Sequence, residues 1–133
     1  MNNSGGIRVS CCYIILFISM MILPVLVAAH GWKAPTNAAR KSNPVLINES
    51  SIQRGAEIYR GLCASCHGPK AAGNGEMAAS FIPEPANLLK RLKNHSEGDF
   101  FWKISNGRGP MPGFKDKLTE KQIWDVINFI KSL

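Results

Sequence analysis

The chain has 133 residues and a formal net charge of +7, with 45% of its residues hydrophobic, which suits one small domain behind an N-terminal targeting segment. Arg8 is the only charge before residue 30, so taking it from the 16 basic residues leaves 15 against 9 acidic ones in the rest of the chain. A surface of that sign draws acidic proteins or anionic membranes, or simply keeps the domain soluble; nucleic acid is set aside, because no basic stripe alternates with aromatic residues and no helix gathers Lys and Arg on one face.

Residues 1–8 form a short polar start with one positive charge. An apolar run from Val9 to Ala29 follows and ends in Val27-Ala28-Ala29. Basic, apolar and small-residue parts in that order are those of a secretory signal cut before His30. The run is also long enough to span a bilayer, and Trp32 and Lys33 just beyond it suit a membrane interface. Residues 1–29 therefore read as a signal peptide or an uncleaved membrane anchor, with cleavage favoured. Either way residues 30–133 lie outside the cytoplasm, in the periplasm or on the outer face of the membrane. Cys11 and Cys12 open the apolar run and read as apolar filler, since a lipid-anchor cysteine would follow it.

Residues 30–49 hold Pro35, Pro44 and several Asn and show no apolar period; they read as a linker or a loosely packed arm. The domain proper is expected over residues 50–133. Ser50-x-x-Gln53 has the form of a capping box, and Ile52, Gly55, Tyr59 and Leu62 then recur on one helical face. A glycine at position 55 costs helix stability unless another element must come close. A short helix is expected over residues 86–93, with Leu88, Leu89 and Leu92 as its apolar side. Ser96 opens another, with Phe100, Phe101 and Ile104 inward, and Gly107 can end it in the left-handed conformation. Thr119-x-x-Gln122 is a second capping box, Leu118 and Ile123 can staple it, and Ile123, Val126, Ile127 and Ile130 make the buried stripe of a last helix. No segment reads as a strand.

Between the first helix and the loops stands Cys63-Ala64-Ser65-Cys66-His67. Cys-x-x-Cys-His is the attachment pattern of haem c. Two thiols on one turn reach the two vinyl groups on one porphyrin edge, and the adjacent imidazole offers its nitrogen to the iron. A thiol–disulfide pair would sit in an α/β fold, for which no β-α-β pattern exists here, and a structural zinc would need a second cysteine pair. A domain this small stands near the lower end of what one core supports, so a buried haem would also help it fold.

For the sixth iron position, Met111 competes with Met77, His95 and an open site. Met111 stands in Gly107-Arg108-Gly109-Pro110-Met111-Pro112-Gly113-Phe114, where prolines restrict the backbone and glycines allow close approach; it is the expected ligand, and His–Met ligation raises the reduction potential. Met77 reads as packed or exposed and His95 as a surface histidine. His67 should give its other ring N–H to a backbone carbonyl, with Pro83 or Pro85 as the expected source. Tyr59, Leu88, Phe101, Ile104 and Trp124 are candidates for packing against the haem or between helices.

Taken together, Gly55-x-x-x-Tyr59, Cys63-Ala64-Ser65-Cys66-His67-Gly68, Pro85-Ala86-Asn87-Leu88, Met111-Pro112-Gly113-Phe114 and Ile123-Trp124-x-x-Ile127-x-Phe129-Ile130 resemble the class I monohaem cytochrome c family in its bacterial form, over residues 50–133. The resemblance implies an all-α fold with helices packed around one covalent haem c. It implies that the first and last helices cross at Gly55 and Tyr59, with His67 and Met111 on opposite sides of the iron. Electron transfer through an exposed haem edge follows from it, and the basic charge suits redox partners with acidic docking faces. A six-coordinate iron has no free position for a substrate, and no acid–base or nucleophile constellation stands elsewhere, so the expectation is an electron carrier and not an enzyme. A peroxidase-like or ligand-binding haem domain, and a haem subunit of a membrane redox complex, are the alternatives.

Overall fold

Two amphipathic helices supply most of the frame. The structure, a computed structural model, describes residues 31–133. The expected signal or anchor over residues 1–29 falls outside that range. In chain order the helices are α1 (Thr36–Ala39), α2 (Glu49–Leu62), α3 (Ala64–His67), a 3-10 turn (Ala78–Ser80), α4 (Leu88–Leu92), α5 (Glu97–Asn106) and α6 (Glu120–Ser132). Among the described residues there is no strand, and the one isolated bridge pairs Arg108 with Met111. The all-α expectation is met.

The first long helix, α2, crosses the last, α6, at Gly55. A Cβ built there would lie 2.0 Å from the Asp125 carbonyl oxygen and 2.9 Å from Phe129 Cβ, so only a glycine lets the two backbones meet. Tyr59, one turn on, is fully buried, and its ring centroid lies 5.1 Å from that of Phe129. From the other side α6 contributes Ile123, Trp124, Val126, Ile127 and Ile130, all buried, as the apolar spacing requires. Phe101 on α5 stacks on Trp124 with centroids 4.4 Å apart.

The same crossing buries polar groups. Ser51 Oγ donates to Asp125 Oδ1 at 2.6 Å, Arg54 grips both oxygens of that carboxylate at 2.9 and 3.0 Å, and Lys121 reaches it at 3.0 Å. Burial pushes the Asp125 carboxyl up, but Arg54, Ser51 and Lys121 outweigh it and hold the group below the usual carboxylate range. Asn128 completes the set by donating to Ser51 Oγ and to the Val45 carbonyl. A buried charge with this many partners orients the helices more than it stabilises them, because desolvation takes back much of the Coulombic gain.

The caps explain where the helices begin. Thr119 and Gln122 form the expected box at the start of α6, and Ser96 accepts from the Asp99 N–H at the start of α5. For α2 the expectation is corrected: Asn48 Oδ1 accepts from the Ser51 N–H at 2.9 Å, so the helix begins at Glu49 and Ser50 lies inside it. Asn is at least as good an N-cap as Ser, and it comes first in the chain. The helix expected over 86–93 is shorter, Leu88–Leu92, with Asn87 as its cap. Gly107 ends α5 at φ 65° and ψ 178°; the positive φ is as expected, but ψ is extended and not left-handed helical.

Residues 32–49 are not a loose linker. Ala34 N–H donates to Asp99 Oδ1 at 2.7 Å, and Ser96 Oγ donates to the Ala39 carbonyl at 2.6 Å. Asn43 reaches Asn128 at 2.8 Å. Lys41 pairs with Glu120 and lies over the Phe101 ring. Gly98 is where arm and helix meet: a Cβ there would fall 2.4 Å from the Ala38 carbonyl oxygen. The segment has no apolar period because its polar backbone does the docking. His95 is likewise not a surface histidine. Its side chain is 10% exposed and its Nδ1 lies 2.9 Å from Asp99 Oδ2, an oxygen that Lys103 also reaches at 2.5 Å.

Two glycines of one helix should respond oppositely. Gly55→Ala forces the crossing apart and should cost about 1–3 kcal/mol, whereas nothing lies within 4 Å of a Cβ at Gly61, so Gly61→Ala should gain about 0.5–1 kcal/mol. Thermal unfolding of the two variants reads both signs, and equal shifts would contradict the close approach. A pH dependence follows from His95, which burial first, and then Lys103 and Arg91, lower below 6.5 against the opposing pull of Asp99. The unfolded chain then takes up that proton first, so this contribution to stability is intact above pH 6.5 and is lost as pH falls towards the folded value. Denaturant unfolding between pH 7.5 and 5 should show a shallower decline in His95→Gln than in the parent.

Candidate cofactor site

The Cys-x-x-Cys-His turn is held from both ends. At its start α2 runs into Cys63, whose N–H donates to the Tyr59 carbonyl at 2.9 Å. The turn closes by His67 N–H to the Cys63 carbonyl at 2.9 Å and Gly68 N–H to the Ala64 carbonyl at 2.8 Å. Gly68 then leaves at φ 78°, which a glycine adopts without strain. The Tyr59 hydroxyl donates to the Gly68 carbonyl at 2.8 Å inside the core. Tyr59 thereby ties the helix crossing to the end of the motif, a role its place in the apolar stripe does not disclose.

The following loop wraps the turn. N–H groups of Met77, Gly75 and Gly73 donate to the carbonyls of Ser65, Cys66 and His67 at 2.9, 3.1 and 2.8 Å. Three successive carbonyls at the end of a helical turn, which would otherwise lack partners, are thus satisfied. A Cβ at Gly75 would sit 2.2 Å from the Ser65 carbonyl oxygen, so the wrap is tight. Ala71, fully buried at φ 55°, accepts the Leu88 N–H at 2.8 Å and brings the next segment alongside.

That segment orients His67. Its Nδ1 lies 3.0 Å from the Ala86 carbonyl oxygen; a carbonyl can only accept, so Nδ1 carries the proton and Nε2 keeps its lone pair. The expected source, Pro83 or Pro85, is corrected to Ala86. The Pro85 carbonyl is turned towards Gly73, where a Cβ would come within 2.4 Å of it. Burial lowers the His67 pKa and the Ala86 carbonyl only partly restores it, so the ring is neutral at pH 7. Burial, with Cys66 second, pushes the Cys63 thiol up to about 12.

Met111 comes from the far end of the domain. Arg108 N–H donates to the Met111 carbonyl at 2.9 Å and Met111 N–H returns the bond at 3.1 Å. A Cβ on Gly107 would lie 2.4 Å from the Met111 carbonyl oxygen, and the buried Phe114 anchors the return through its N–H to Ile104. Met111 and Cys63 are both partly buried against the same apolar cluster, as are Leu88 and Phe101, while Tyr59, Ile104 and Trp124 lie within it. Met77 is 48% exposed, and His95 is engaged with Asp99.

These residues fit a covalent haem. Cys63 and Cys66 are free thiols on one turn, and the neighbouring imidazole is held by Nδ1 with Nε2 to spare. Among the described residues no group of three or more His, Cys, Asp or Glu converges to grip a bare ion, as a zinc site would demand. The donor set instead suits a group attached at its edge and ligated at its centre.

Known proteins agree. Residues 50–130 match the family model described as cytochrome C oxidase, cbb3-type, subunit III. The chain is 31% identical to cytochrome c6 of Synechococcus elongatus over 81 residues, covering 61% of this chain and 88% of that one. With cytochrome c6 of a Nostoc species it is 29% identical over 112 residues, 84% of this chain and 87% of the relative. A chain of the Kuenenia stuttgartiensis reducing HAO-like protein complex shares the fold with a TM-score of 0.58 at 22% identity, over 67% of this chain and 46% of that one. A turn built for two thioethers and one imidazole, set in an all-α frame closed by a Gly55 crossing, places this chain in the class I monohaem c-type cytochromes, the covalent-haem electron carriers.

Proposed function

We propose that the protein is an exported electron carrier whose haem c is joined to Cys63 and Cys66 and ligated by His67 and Met111. One observation carries the ligand assignment: Met111 is framed by a two-way backbone pair and lies on the rim of the apolar cluster that Cys63 also borders. When bound, haem supplies a one-electron couple. The chain's own residues set its conditions. Ala86 fixes the imidazole plane and strengthens its donor nitrogen, Tyr59 and the 68–77 loop keep the attachment turn rigid, and the Pro-Met-Pro loop limits movement of the thioether. Little then has to rearrange when an electron arrives or leaves.

Export is supported by the secretory pattern over residues 1–29 and by the haem chemistry itself. No helix among the described residues is long and apolar enough to cross a membrane. The net charge of +7 suits redox partners with acidic docking faces. A second reading, a haem subunit of a membrane redox complex tethered by residues 9–29, is favoured by the description of the matching family model.

Absorption spectra of the chain matured with haem test the ligands. The oxidised parent should show the weak red band of Met–ferric coordination, and its reduced form should resist carbon monoxide. Met111→Ala should lose the band, bind carbon monoxide promptly and have a lower potential. A high-spin parent, or carbon monoxide binding as fast as in the variant, would sink the assignment. Intact mass of the membrane and soluble fractions decides between the two settings: a chain starting at His30 in the soluble fraction supports a free carrier, and a membrane-bound chain retaining residues 1–29 supports the tethered subunit.

A further inference from the structure

The arm before the domain touches the methionine loop through Trp32. Trp32 lies between two cations: Arg108, whose guanidinium carbon is 4.9 Å from the ring centroid, and Lys103, whose Nζ is 5.5 Å from it. Arg108 is the residue that exchanges both backbone hydrogen bonds with Met111. Lys103 stands on α5, where it also binds Asp99. Trp32 thus joins the loop carrying Met111 to the rigid helix beside it.

The arm is fixed well enough to transmit that constraint. Two residues on, Ala34 N–H donates to Asp99 Oδ1 at 2.7 Å, on the carboxylate that holds Lys103 and His95 through its other oxygen. Further along, Ser96 holds the Ala39 carbonyl, and the bare Cα of Gly98 admits the carbonyls of residues 38, 39 and 41. The loop has its own anchor at Phe114, but Arg108, Gly109 and Pro110 at its outer end are exposed. The Trp32 ring is what the arm sets against that outer end.

We infer that Trp32 is a positioning residue: through Arg108 it braces the 107–113 loop and slows departure of Met111 from the iron. The inference rests on Met111 being the sixth ligand. The geometry gives Arg108 an aromatic platform anchored independently of the loop. A cation held over an indole ring at a partly exposed site is a modest contact, so the effect belongs to the opening rate of the loop and not to its resting place.

Carbon monoxide provides the readout, because it can bind the reduced iron only after the sixth ligand leaves. In the full chain matured with haem, Trp32→Ala should speed carbon monoxide binding about two- to five-fold and raise amide exchange at residues 108, 109 and 111, while the amides of α6 exchange as before. Trp32→Phe should keep most of the parent behaviour. A Trp32→Ala protein with parental binding rate and loop exchange overturns the brace. So does faster exchange spread evenly over α6, which would mark a general loss of stability. Met111→Ala separates the two claims: if it binds carbon monoxide no faster than the parent, the ligand assignment fails, and loop exchange in Trp32→Ala still decides whether the arm braces the loop.

Discussion

Everything in this domain is referred to the point where Gly55 meets the backbone of Asp125. A side chain as small as a methyl group would overlap the Asp125 carbonyl oxygen at 2.0 Å, so the separation of the two long helices is set by backbone contact and not by a layer of side chains. That contact leaves Tyr59 one turn further along with its ring on Phe129 and its hydroxyl on the Gly68 carbonyl. Position is therefore passed from the crossing to the attachment turn through one rigid aromatic side chain. The turn in turn gives its three free carbonyls to the 68–77 loop, whose partner segment presents Ala86 to His67. The His67 imidazole is thus oriented by a chain of contacts that starts about three turns of helix away.

The two ends of this chain were unequally legible. Helix faces are periodic, so the stripes of α2 and α6, the glycine inside α2 and the box at Thr119 could be read directly from residue spacing. The thiols and imidazole are equally plain, because their chemistry demands fixed spacing. What escaped the sequence is where backbone groups do the work. The carbonyl that holds His67 belongs to Ala86, a residue with no distinguishing side chain, and the choice among three neighbouring carbonyls depends on how Gly73 admits Pro85. The N-cap of α2 moved to Asn48 for a similar reason: two good capping residues stood two positions apart, and the docked arm brings the chain into the helix at the earlier one.

The arm shows most clearly what periodicity cannot disclose. Residues 32–49 show no apolar period, yet they are fixed by an N–H to Asp99, a carbonyl to Ser96 and an amide to Asn128. These partners become visible only when α5 and α6 are side by side. Asp99 and His95 were obscured by the same circumstance. A carboxylate in the first turn of a helix is ordinarily a capping charge facing water, but here the arm's backbone passes over it at Ala34 and turns it into a buried hub.

Two buried carboxylates then divide the work of holding a small domain together. Asp125 stands at the crossing and engages α2 from within α6 through Ser51 and Arg54. Asp99 stands at the edge and engages the arm through Ala34 while retaining Lys103 and His95 from its own side. Neither is a cheap source of stability, since each charge must be taken from water before its partners repay the loss. Their value lies in direction. An apolar core tolerates small slips between helices, whereas the Asp125 carboxylate, with Ser51, Arg54 and Lys121 donating to it, does not. A small domain needs that restriction, because a slip between its helices would move the 107–113 loop relative to the attachment turn. The oriented charges and the Gly55 contact keep those two segments in register, and the apolar cluster between them supplies the attraction.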